Sequence, residues 1–214
     1  MSDIFREIDE ELRRDNVAKL WERYGKYIVG LAAVIVLATG AAVGWREYQM
    51  RVQRAESVRY AAAVELAQKN ELARAADDFA LLAREAGGGQ AILARLQEAA
   101  LRARTGDEQA AISAYKALAQ DSSVDSLYRD LATLLAALHE LKSGDPKTII
   151  AEVSALTSSG NPWHHTALEI TALAHLHAGE RTEARDLYKT LADDLTAPPG
   201  LRARAAEMSG ALSS

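Results

Sequence analysis

The chain has 214 residues, no cysteine, and 25 Lys+Arg against 30 Asp+Glu, for a net charge of −5 at pH 7. That composition excludes disulfides and thiol catalysis and offers no basic surface for nucleic acid. Aromatic residues make up only 6%, alanine is abundant, and β-branched runs are nearly missing outside one apolar segment, so the expected fold class is all-α.

Residues 1–26 predict a short amphipathic head, helical over 3–24. Ile4, Phe5, Ile8 and Leu12 recur at three- and four-residue spacing, with Asp9, Glu10, Arg13 and Arg14 on the other faces. Six basic residues stand against seven acidic ones. A helix built for a lipid surface or for nucleic acid would be distinctly basic. The mixture suits a contact with a partner or with the chain's own apolar segment.

From Tyr27 to Trp45 the chain runs nineteen residues without a charge, YIVGLAAVIVLATGAAVGW, closed by Lys26 and Arg46. A helix of that length spans about 28 Å, close to the hydrocarbon thickness of a bilayer. Tyr24, Lys26, Tyr27, Trp45, Arg46 and Tyr48 are the expected membrane-interface residues, because amphipathic rings and long cations prefer the headgroup layer. A buried core helix would carry a polar face, and here only Thr39 could supply one. A cleaved signal peptide is the other alternative, with Ala38-Thr39-Gly40 as a small-residue site, but its apolar stretch is shorter, ~7–15 residues. The longer run and the charged head favour a retained transmembrane helix over 27–45. Orientation stays open on charge. Five cations precede the span (Arg13, Arg14, Lys19, Arg23, Lys26) and four follow it (Arg46, Arg51, Arg54, Arg59).

Residues 46–214 contain an internal repeat. Asn70-Glu71, Gly106-Asp107, Gly144-Asp145 and Gly179-Glu180 recur at spacings of 36, 38 and 35 residues. Seven residues before each step stand Ala63, Ala99, Ala137 and Ala172. Five after it stand Ala75, Ala111, Ile149 and Ala184; nine after, Phe79, Tyr115, Val153 and Tyr188; twelve after, Leu82, Leu118, Leu156 and Leu191. Glycine or asparagine can end one helix in the left-handed conformation, and the acid favours the start of the next. Alanines let antiparallel helices approach, and the aromatic and leucine fill the space between hairpins. The pattern resembles the tetratricopeptide repeat, in a degenerate form whose third copy is poor. It implies an α-solenoid of about four helix hairpins following the transmembrane helix.

No constellation in the sequence supports catalysis, so no enzyme activity, cofactor, metal site or small-molecule substrate is expected, and the histidines read as helix-surface or turn residues. His164-His165 and His175–His177 lie ten helical residues apart, about 15 Å, too far to share one ion. Gly87-Gly88-Gly89-Gln90 lacks the Lys-Ser/Thr of a phosphate loop, and Asp193-Asp194 reads as a solvated helix end. The suggestive surface is apolar. Leu93, Leu96, Leu131, Leu134, Leu138 and Leu141 map to the first helices of their hairpins, on the side that lines an inner groove for a protein partner. Alternatively the groove is closed by another helix, such as residues 201–212, and these leucines are core.

A short head, one span and a degenerate four-hairpin domain together resemble the YfgM family of bacterial inner-membrane proteins. The supporting residues are Val17, Lys19, Trp21, Gly25-Lys26 and Gly44-Trp45-Arg46. The helix at 3–15 is longer than the usual head of that family. The resemblance implies an ancillary subunit of the SecYEG translocon, working with periplasmic chaperones. It also implies a cytoplasmic N-terminus, an inner-membrane span and a periplasmic repeat domain. A scaffold or assembly factor of another envelope complex, in cell division or respiration, shares every one of these features.

Overall fold

The computed structural model describes residues 2–213, and side chains from Trp21 onward apart from Ile28 and Ala32. Among the described residues every regular element is helical: α1 (Ser2–Gln68), α2 (Leu72–Glu85), α3 (Gly88–Arg104), α4 (Glu108–Ala119), α5 (Ser126–Glu140), α6 (Pro146–Val153) with a 3-10 turn at Ser154–Thr157, α7 (His164–His177), α8 (Arg181–Asp193) and α9 (Pro199–Leu212). The chain divides into two units between Ala55 and Glu56, within α1.

In the first unit, Val29, Leu31, Val34, Ile35, Val36, Leu37 and Val43 are all exposed, Leu37 by 72%. The most apolar stretch of this helix has a mean hydropathy of 2.2 and no buried residue, so it is long and apolar enough to cross a membrane. Thr39 spends its hydroxyl on the Ile35 carbonyl, 2.8 Å away, which leaves no side-chain donor unsatisfied at that point. Tyr24, Lys26, Tyr27, Trp45, Arg46 and Tyr48 are exposed at the two ends of the run. Lys26 Nζ sits 5.1 Å from the Tyr27 ring centroid. The face of Ile4, Phe5, Ile8 and Leu12 lies outside the described side chains.

The second unit is built from hairpins whose turns explain the repeat. Asn70, Gly106 and Gly179 take φ of 64°, 91° and 79°. Each closes the helix end with the same pair of bonds. In the second hairpin Gly106 N donates to Ala103 O (3.1 Å) and Asp107 N to Arg102 O (2.9 Å). Asn70 and Glu71 repeat the pair on Ala67 and Leu66, and Gly179 and Glu180 on Leu176 and His175. Asp107 then caps α4 by accepting from the Ala110 amide. Glu71 and Glu180 stand at the same place but make no side-chain cap.

Every position of the repeat register is buried: the four alanines before the turns, then Ala75, Ala111, Ile149 and Ala184, the Phe79, Tyr115, Val153 and Tyr188 series, and the four leucines. Burial pushes the Tyr188 hydroxyl up to about 12.

The third turn departs from the expectation. Gly144 is absent from the positive-φ set. Its amide donates to Glu140 O at 2.6 Å, and a Cβ there would meet that same oxygen at 2.9 Å. Glycine is required by close approach, not by handedness. Asp145 still caps the next helix, accepting from the Thr148 amide and hydroxyl. With Pro146 in its first turn, α6 is only eight residues long and hands over to the 3-10 turn that carries Leu156.

Successive cores share helices. One joins the end of α1 to α2 and α3 around Phe79 and Leu82. Two smaller ones lie among α3, α4 and α5, around Tyr115 and Leu118. The next packs α5, α6 and α7, and the last packs α7, α8 and α9 around Tyr188 and Leu191. Lys116 on α4 ties three helices by reaching Glu140 (2.7 Å) and Glu152 (2.8 Å).

Candidate functional site

The six leucines expected to line one groove fall into three environments. Leu93 and Leu138 are exposed, by 42% and 45%. Leu96 is half-buried against the α3–α5 cores, and Leu131 is half-buried. Leu134 and Leu141 are core residues, packed with Ile149, Val153, Leu156, Ala167 and Ile170. The expectation of an open six-leucine groove is corrected to that extent. The expectation that residues 201–212 close it is corrected too, since α9 packs on α7 and α8 through Leu201 and Ala205. What covers Leu134 is α6, the 3-10 turn and α7. The third hairpin's short second helix lets α7 lie against α5 there.

A cleft that the sequence does not signal opens between the last turns of α1 and α3. It holds about 360 Å³, with Val64, Phe79 and Leu101 as its apolar lining and Gln68, Gln97 and Arg104 as its polar one. Phe79 is a repeat residue and Arg104 ends α3, so only the folded hairpin brings them to one place.

The joint between the third and fourth hairpins is polar. Asn161 accepts from the Trp163 amide (2.7 Å) and donates to Asp130 on α5 (3.0 Å). The Trp163 indole N–H donates to Leu127 O at 3.1 Å. These bonds place His164 and His165 at the start of α7. His164 Nδ1 lies 2.5 Å from the Thr157 carbonyl and therefore carries its proton there. His165 Nε2 lies 2.9 Å from Asp194 Oδ2. Asp194 Oδ1 accepts from the Thr196 hydroxyl (2.6 Å) and amide (2.8 Å). The Thr196 bonds first, then His165, hold the Asp194 carboxyl down to about 2.

Asp194 is thus no merely solvated helix end. It is half-buried and joins the end of α8 to the start of α7. A twenty-nine-residue gap in sequence left no local sign of the contact. The other histidines serve separate clasps. His139 faces Glu108 at 2.8 Å and His175 faces Glu180 at 2.6 Å, while His177 is exposed. Lys142, then His139, hold the Glu108 carboxyl below its usual range.

A stack of helix hairpins with small residues at the crossings and Schellman-type turns defines the class: a helical repeat domain, which works by presenting surface to other proteins. The chain belongs to the family of the tetratricopeptide repeat-like domain, whose model matches residues 18–208. No curated protein matches the chain in sequence.

Proposed function

We propose that the protein is a membrane-tethered interaction module, resembling the YfgM family, that serves the SecYEG translocon and its periplasmic chaperones. The observation that carries this reading is the coupling of a fully exposed, charge-free helical run to a tetratricopeptide repeat-like domain. The run needs lipid to cover Leu31 through Val43, since in water about 25 cal/mol would be lost for each Å² of apolar surface left exposed. The assignment is 1–26 as a cytoplasmic head, 27–45 as the inner-membrane span and 46–214 as the periplasmic repeat domain. Leu93 and Leu138 are its partner-binding residues, supported by Leu96 and Leu131 on the same helices.

Co-purification of the full chain from a mild detergent extract of membranes tests the reading. Recovery of translocon subunits, reduced by the Leu93→Gln/Leu138→Gln pair, is expected. Recovery of cell-division or respiratory subunits in their place would assign the protein to a different envelope assembly. Protease added to spheroplasts tests orientation, and a fully protected repeat domain would reverse it.

A further inference from the structure

His164, His165 and Asp194 form a cluster that the interaction role does not call for. One donor atom from each lies within 4.8 Å of the others. The imidazole rings meet edge to face with centroids 5.0 Å apart. We propose that these three side chains bind one divalent cation of the zinc class, leaving a coordination position open to the surrounding cleft.

Two of the three side chains, His164 and Asp194, already have the outer partners a metal site uses. Histidine ligands generally donate their second ring N–H to a carbonyl or carboxylate, which fixes the tautomer. His164 does this with the Thr157 carbonyl, so its Nε2 lone pair is the one left for an ion. Asp194 is held the same way, with Oδ1 occupied by Thr196 and Oδ2 turned to His165. The 2.9 Å between His165 Nε2 and Asp194 Oδ2 is bridged by one proton. An ion takes that place once His165 carries its proton on Nδ1. Zinc–nitrogen and zinc–oxygen bonds of ~2.0–2.2 Å set tetrahedral ligands about 3.3–3.6 Å apart. Donor atoms already within 4.8 Å of one another would reach that spacing by shifts on the order of 1 Å.

Electrostatics favour the site. The N-terminus of α7 contributes roughly half a positive charge and the C-terminus of α8 roughly half a negative one. They meet at His164 and Asp194, so the ends offset each other and the carboxylate's full charge remains. The donors are two imidazoles and a carboxylate, which suits zinc and its neighbours better than calcium or magnesium. The cleft around them, about 610 Å³ and bordered by Ser159 and Asn161, has room for a water or for a side chain of a bound protein.

The test uses the full chain in detergent micelles, purified without a polyhistidine tag. Titration calorimetry with Zn²⁺ should give one ion per chain, and Co²⁺ should develop the visible bands of a four-coordinate site. His165→Ala and Asp194→Asn should each weaken Zn²⁺ by more than the ~10–100-fold that loss of an outer partner costs. His175→Ala and His177→Ala should leave the Zn²⁺ affinity unchanged. Zn²⁺ should also raise the melting temperature of the unmutated protein, with EDTA reversing it, a readout that does not depend on any variant folding. Absence of Zn²⁺ binding, or binding equally tight in His165→Ala and Asp194→Asn, would overturn the proposal.

Discussion

Leu134 and Leu138 lie one helical turn apart on α5 and should respond very differently to the same substitution. Leu134 is 2% exposed and sits among Ala137, Ile149, Val153, Ala167 and Ile170, while Leu138 is 45% exposed. Leu134→Gln removes a packed side chain and buries an amide in an apolar cluster. The stranded amide costs ~1–3 kcal/mol. Truncating a buried leucine to alanine costs ~2–5 kcal/mol, of which the longer glutamine recovers part. A total of about 3–5 kcal/mol follows. In a domain of this size each kcal/mol moves the melting temperature by ~2–4 °C, so the drop should be roughly 6–20 °C. Leu138→Gln, at an exposed position, should stay within ~0.5 kcal/mol, or about 2 °C. Thermal melts followed by circular dichroism on the full chain in micelles measure both. A Leu134→Gln protein melting with the wild type would refute the placement of Leu134 in the core. A Leu138→Gln protein melting as early as Leu134→Gln would show that Leu138 is covered as well.

Ala111→Trp and Ala184→Trp place a large ring where the alanine has no exposed surface. Each should cost at least the ~1–3 kcal/mol typical of overpacking, seen as a melt several degrees lower. Gly106→Ala forces a Cβ into a left-handed turn, at ~1–2 kcal/mol, and Gly106→Asn should recover part of that loss. At Gly144 the obstacle is the Glu140 carbonyl, so asparagine should melt no higher than alanine in the same assay. The Ser123 hydroxyl first, then Arg95, hold the Asp121 carboxyl down to about 2 from 3.8. Because that value is depressed in the folded state, the stabilisation is full above the unfolded value and disappears as pH falls through about 4 to 2. The melting gap between wild type and Asp121→Ala should accordingly be present at pH 7 and nearly closed at pH 2.

The repeat was legible because its residues are tied to turns by short, fixed offsets. Ala99, Ala111, Tyr115 and Leu118 can be placed from Gly106 alone, and all are buried. The third copy kept the offsets, with Ala137, Ile149, Val153 and Leu156 all buried, but not the turn. Gly144 does its work through a close carbonyl, and no residue-type pattern separates that from a left-handed turn. The groove was harder to read for a physical reason. Leu131, Leu134, Leu138 and Leu141 share an α-helical stripe, but which of them meets water depends on how closely α7 packs, and that follows from the length of α6. The His165–Asp194 contact was beyond reach because it joins two helix ends that meet only after the hairpin closes. The local part of it, Asp194 holding Thr196 two residues on, is an ordinary turn signature and points to no ligand.

The overlap of the cores has a mechanical side. Helices α3 and α5 each serve three of the five cores and α7 serves two, while α2, α6 and α8 each serve one. The domain therefore has walls rather than a centre, and its cooperativity travels along one dimension, from wall to wall. A disturbance in a shared wall is transmitted both ways, whereas one in α2 or α8 stays within the single core that helix serves. Amide exchange should follow that order, with α5, which is walled on both sides, among the last helices to open.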